Sequence, residues 1–190
     1  MTRTPASLAL ALALALGAAE ALALPAADPC VSGTPVGKRP GPYSFLVATG
    51  PQRGQQTCYI CEQHDGNKPA AVVFARTTSD PLGKLMAKLD AAAIANKDGG
   101  GKVWMTLLAE KADLDALAKW SQKQGLKGAP VGAFEDADGP PSYKLHQDAD
   151  VTVILFAKQK VVATFAFRTG ELDDKAIAAV MKAVPPVFEK

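Results

Sequence analysis

The chain is sparing with the side chains that most often carry chemistry. Its 190 residues contain three cysteines and two histidines. Three cysteines close at most one disulfide and leave one thiol over. Charge of neither sign dominates: 21 Lys and Arg stand against 19 Asp and Glu, a net +2. That excess is too small and too evenly spread to argue for nucleic acid or an anionic membrane surface. Beyond the first twenty residues no apolar run is long enough to span a bilayer, and outside that leader there is no internal repeat or low-complexity tract.

What is present begins with the leader. Arg3 precedes an unbroken Ala/Leu-rich run from Ala6 to Ala19, Glu20 interrupts it, and small residues follow in "EALALPAADP". A basic start, a short apolar core and a small-residue exit predict a secretory signal peptide over residues 1–26, cleaved between Ala23 and Ala27. The run is too short for a spanning helix, which needs about 20 apolar residues. Pro29, directly before Cys30, does not suit lipidation. The expectation is a secreted or periplasmic protein with no membrane span once the leader is removed. Export also permits disulfides. About 160 residues then remain, enough for one domain with a real core.

Residues 27–42, rich in Gly and Pro, predict an extended lead-in, and 43–190 the folded domain. "YSFLVA" reads as a short strand. "AAVVFAR" (Ala70 to Arg76) is a continuous apolar, β-branched run, the pattern of a strand covered on both faces. Asp80 as N-cap and Pro81 at the first helical position open a helix along which Leu82, Leu85, Met86 and Leu89 repeat, stopped by the glycines from Gly99. "KVWMTLLAE" is a second buried strand, and a helix capped by Asp113 and ended by Gly125 follows. A loop-rich crossing with one short strand at its start leads to "VTVILFAKQKVVATFAF", a β-hairpin turning at "AKQK". A last helix carries Ile177, Val180, Met181 and Val184 on one face and ends at Pro185 and Pro186. Strand–helix alternation predicts parallel pairing with helical crossovers, and the hairpin makes the sheet mixed.

The order of elements, together with "GNKPAAVVFAR", "PVGAFEDADGPPSYKL" and the terminal hairpin, resembles the thioredoxin-like superfamily, in particular its peroxiredoxin and redoxin branches, over roughly Val36 to Val187. The resemblance implies a single α/β domain: a mixed central sheet flanked by helices, with a C-terminal β-hairpin and then a helix. In that family the reactive cysteine follows the central strand and opens the next helix, whose N-terminus favours a thiolate. The matching stretch here, "ARTTSDPLGKL", has Thr77, Thr78 and Ser79 and no cysteine. The family's cis-proline before the hairpin is also missing; Asp148 and Asp150 stand there instead.

The chain's one Cys-x-x-Cys pair, Cys58 and Cys61, lies upstream of the central strand, in "TCYICEQHDG". In a strand, residues i and i+3 lie about 10 Å apart on opposite faces. A disulfide needs Cα atoms within roughly 4.4–6.8 Å. The two sulfurs can therefore act together only if the stretch is a turn or a helical turn, which "RGQQ" and "DGNKP" permit and "CYI" disfavours. Three readings stay open at this point. One is a displaced redox pair at Cys58 and Cys61, exchanging disulfides with exported proteins, with Glu62 opposing thiolate formation. Another is a zinc or copper site made by Cys58, Cys61 and His64 with His146 or Cys30. Copper chaperones of cytochrome oxidase assembly, which share the redoxin fold, place a histidine near the position of His146, although their cysteine pair is spaced and placed differently. The third is a structural clip without turnover. A haem attachment motif is ruled out because Glu62 follows Cys61. His64 and His146 read as solvated loop residues, Cys30 as a free thiol, an intermolecular bridge or a partner for one of the pair, and Trp104 and Trp120 as core.

Overall fold

The structure, a computed structural model, describes residues 28–188. The expected signal peptide lies outside the described residues. In chain order the elements are β1 (Phe45–Val47), β2 (Gln56–Thr57), α1 (Tyr59–Asp65), β3 (Ala70–Ala75), α2 (Asp80–Ala95), β4 (Lys102–Leu108), α3 (Leu114–Lys123), β5 (Val131–Phe134), β6 (Val151–Ala157), β7 (Lys160–Phe167), α4 (Asp174–Ala183) and a single turn, α5 (Pro185–Phe188). The strands form one sheet in the order β2-β1-β5-β4-β3-β6-β7. β3, β4 and β5 run parallel, β6 and β7 antiparallel to their neighbours, so the sheet is mixed as expected.

β3 lies at the centre because its side chains suit burial on both sides: all six residues are inaccessible to solvent. Alternate residues point to opposite faces. Ala71, Val73 and Ala75 join a core with Leu82, Leu85 and Leu89 of α2, Leu117 of α3, Ile177 and Val180 of α4, and α5. Ala70, Val72 and Phe74 join a second, aromatic core with Tyr43, Phe45, Tyr59, Trp104, Tyr143 and Phe156. Four helices therefore cover one face. The other is covered by α1, the lead-in and the crossing between β5 and β6. The aromatic core contains a buried polar chain: Trp104 Nε1 donates to Tyr43 Oη at 2.7 Å, and Tyr43 Oη lies 2.8 Å from Thr106 Oγ1. Burial pushes the Tyr43 phenol far above its usual range, so it stays protonated.

Local signals explain the boundaries, with two shifts. The cap of α2 is Ser79, not Asp80: Ser79 is extended and its Oγ accepts Leu82 N–H at 3.3 Å, which puts Asp80 and Pro81 inside the first turn. The same helix stops at Asn96, before the glycines; a 3-10 turn follows and ends at Gly100, whose φ is +70°. Asp113 does cap α3, its Oδ1 accepting the amides of Asp115 and Ala116. The hairpin turns through Lys158 and Gln159, both with positive φ.

The lead-in is not a loose tether. Gly37 N–H donates to Val161 O at 2.8 Å, Val161 N–H to Lys38 O at 2.9 Å, and Ser32 Oγ meets Thr152 Oγ1 at 2.7 Å. It runs along β7, the outermost strand. Gly33 is pressed against the side chains of Thr164, Thr152 and Ile154 at a φ of +100°, a place and a conformation that suit glycine.

Candidate functional site

Cys58 and Cys61 sit on a helical turn and are bonded to one another, with Cα atoms 5.4 Å apart. The β preference of "CYI" gives way here to packing. Starting the helix at Tyr59 turns Tyr59, Ile60, Gln63 and His64 onto one buried face, at i, i+1, i+4 and i+5. Cys58 is the N-cap: its carbonyl accepts the amides of Cys61 and Glu62 at 3.1 and 3.3 Å, and its Sγ accepts Cys61 N–H at 3.3 Å. At the other end Gly66 closes the helix, followed by Asn67 at φ +50°. Both cysteines are half-buried at the edge of the aromatic core.

The charges nearby are paired. Glu62, expected to oppose a thiolate, forms an ion pair with Lys102 at 2.7 Å, and the same ammonium sits 4.1 Å from the centre of the Tyr59 ring. Burial, and then Glu62, raise the Tyr59 phenol, whose Oη donates to Gln52 at 2.6 Å.

His64 is not the solvated loop residue its sequence context predicts. It is 7% exposed, because α1 carries it beneath the helix with its ring 5.7 Å from that of Phe156. Arg39 Nε donates to His64 Nδ1 at 3.2 Å, which places the imidazole proton on Nε2. That buried Nε2 has no partner, and neither does Gln63 Oε1. Burial first, and then Arg39, lower the imidazole pKa, while Asp65 pulls the other way. Cys61, His64 and Asp65 form one wall of a cavity of about 350 Å³, and Arg39–Pro42 of the lead-in form the other. Sequence reasoning missed Arg39 and its neighbours altogether. A single arginine in a Gly/Pro-rich segment carries no local signal of what it will face.

His146 lies elsewhere. Its carbonyl accepts from Arg76, just past the C-terminal end of β3, and its Nδ1 accepts Asp148 N–H at 3.1 Å. His64 packs on Phe156, which pairs with Ala70 at the N-terminal end of β3. The two histidines therefore flank opposite ends of a six-residue strand, about 20 Å of chain. The structure gathers Cys58, Cys61 and His64 on one helix and leaves His146 apart. With the sulfurs bonded to each other no thiolate is offered to a metal, and among the described residues no group of three or more His, Cys, Asp or Glu is placed to hold one. Cys30 is half-buried and free.

The place after β3, where the resemblance puts a reactive cysteine, is held by structural bonds. Thr77 Oγ1 donates to Asp150 Oδ1 at 2.9 Å, Ser79 caps α2, and Arg76 ties down the carbonyls of Ala137, His146 and Ala149. No peptide bond among the described residues is cis.

No protein-family model matches the sequence, and no curated protein matches it either. Solved structures do. A proposed protein disulfide isomerase from Bacteroides thetaiotaomicron superposes with a TM-score of 0.63 at 15% identity, over 84% of this chain and 94% of its own. A proposed thiol:disulfide interchange protein DsbE from Chlorobium tepidum gives 0.62 at 15% identity, over 82% and 99%. The thioredoxin domain of a thiol-disulfide oxidoreductase from Bacteroides vulgatus gives 0.56 at 16%, over 79% and 98%. Identities this low speak to architecture alone. Sheet order, the hairpin-then-helix ending and these superpositions together give the conclusion: this chain has the thioredoxin-like fold.

Proposed function

We propose that this protein exchanges disulfides with protein thiols through Cys58 and Cys61, and that it does so after export. The observation that carries this reading is the pair itself. The two sulfurs are bonded on a helical turn, half-buried rather than sealed, and Cys61 lines an open cavity. The thioredoxin-like fold supports it, as do the thiol–disulfide names of the structures it resembles. The signal-like leader supports export to a compartment where disulfides persist. In chemical terms the reaction is two-electron exchange: two substrate thiols become a disulfide as Cys58 and Cys61 become thiols, or the reverse.

A redox titration tests the reading. Equilibration with thiol buffers, followed by alkylation and mass analysis, should give a midpoint between about −120 and −200 mV, the range of exported catalysts. A midpoint below about −300 mV marks a structural bridge and overturns the proposal.

A further inference from the structure

We infer that the incoming thiol docks in the cavity between Arg39–Pro42 and α1, and that it attacks Cys61, the second cysteine of the pair, with Cys58 as the leaving sulfur. This rests on the exchange chemistry proposed above and deepens it by naming the entry and the attacked atom.

Three observations converge. Cys61, not Cys58, lines the cavity together with His64 and Asp65. An attacking sulfur must reach its target from the side opposite the leaving group, and of the two cysteines it is Cys61 that borders the cavity. Cys58 is the sulfur prepared to depart, because its Sγ already accepts the Cys61 amide at 3.3 Å and a thiolate there keeps that bond in a stronger, charged form. Finally, the cavity carries charge on both walls, the Arg39 guanidinium on one and the Asp65 carboxylate on the other. Residues three apart on a helix are neighbours, so Cys61 and His64 share the α1 wall of the cavity. The exposed Arg39, bonded to His64 Nδ1, brings a fixed positive charge to the opposite wall.

The steps balance. A substrate thiolate forms a bond to Cys61 Sγ; the Cys58–Cys61 bond breaks, and its electron pair goes to Cys58, which takes a proton from solvent. A second substrate thiolate attacks the substrate sulfur of the mixed disulfide and releases Cys61 as thiolate. Two thiols have lost two electrons and the pair has gained them. Arg39 favours the thiolate form of an incoming thiol in this cavity.

Mapping of the mixed disulfide tests this. In a Cys30→Ser background, Cys58→Ser and Cys61→Ser each leave one cysteine of the pair, and each is reacted with oxidised glutathione. Measured per thiolate, with each thiol's ionisation read from the pH dependence of its alkylation, Cys61 should react at least about tenfold faster than Cys58, because it is Cys61 that opens on the cavity. The same order is read without touching the pair: the otherwise native protein is exposed to reduced glutathione, quenched with alkylating agent and digested, and should carry glutathione on Cys61 and the alkyl group on Cys58. Arg39→Gln should slow the reaction with glutathione, and leave that with cationic cysteamine unchanged or faster. Reaction first at Cys58, or equal rates, overturns the inference and leaves the exchange activity standing. Reaction at neither cysteine above the rate of an unfolded thiol overturns both.

Discussion

Arg39 donates its Nε–H to Nδ1 of His64 across the gap between the lead-in and α1, at 3.2 Å. The contact joins an exposed residue of a segment without secondary structure to a buried ring on the helix that carries both bonded cysteines. The contact sets the tautomer and so puts the proton on the unpartnered Nε2, while burial first and Arg39 second depress the pKa.

A pH dependence of stability follows from the depressed pKa. Folded His64 holds its proton less tightly than an unfolded histidine, whose ordinary value is 6.5. The unfolded chain therefore binds more protons just below that pH, and protonation favours unfolding. The contribution of His64 is fully present above pH 6.5 and declines as the pH falls below it. Urea midpoints measured from pH 8 to pH 5 should fall on the acid side, and His64→Phe should flatten that part of the curve.

Reduction should leave the protein folded. A bridge between residues three apart closes a very short loop, and the chain-entropy relation assigns it about 2 kcal/mol. The two hydrophobic cores do not depend on it. Urea unfolding of the oxidised and reduced forms should differ by about that amount, with unchanged far-ultraviolet circular dichroism. Unfolding on reduction alone would mark the bridge as structural.

Asp90 of α2 is buried, and its carboxylate accepts the amides of Lys127 at 2.6 Å and Gly128 at 3.0 Å. It holds the loop that feeds β5. Asp90→Ala strands two backbone donors, and the loss should be about 2–4 kcal/mol. Asp90→Asn keeps one acceptor oxygen and should lose less. Denaturant titration ranks the two.

Lys158 and Gln159 turn the β6–β7 hairpin at φ +50° and +63°, a conformation that side chains other than Gly and Asn adopt at a penalty. Replacing the pair with Asn-Gly should stabilise the protein by about 1 kcal/mol, read as a higher melting temperature, with no change in the redox midpoint.

Most of the fold was legible because it rests on patterns that local physics enforces. The uninterrupted "AAVVFA" can be satisfied only between two covered faces, and β3 is so placed. The Asp113 cap and the Ile177–Val180 spacing give α3 and α4 their start and their inward side. The two-residue strand β2 is too short to leave a pattern, and Ser79 and Asp80 are both good caps, so only the tertiary path chooses between them. The site was half legible. The spacing of Cys58 and Cys61 marks a pair, but whether they meet depends on Tyr59 and Ile60 preferring an aromatic core to a strand, a choice made by Trp104, Phe45 and Phe156 from far along the chain. The burial of His64 and the approach of Arg39 are likewise long-range, as is the separation of His146 from both sulfurs.

The lead-in closes β7, and this bears on more than the cavity it borders. An uncovered outer strand is a template for another chain, and Gly37, Lys38 and Val161 bond to one another where a neighbour would otherwise add. The next four residues, Arg39 to Pro42, form the far wall beside Cys61. One short stretch thus covers part of the sheet's edge and walls the cavity beside Cys61. Peeling it back would bare the backbone of Val161 and take away the far wall of the cavity in the same motion.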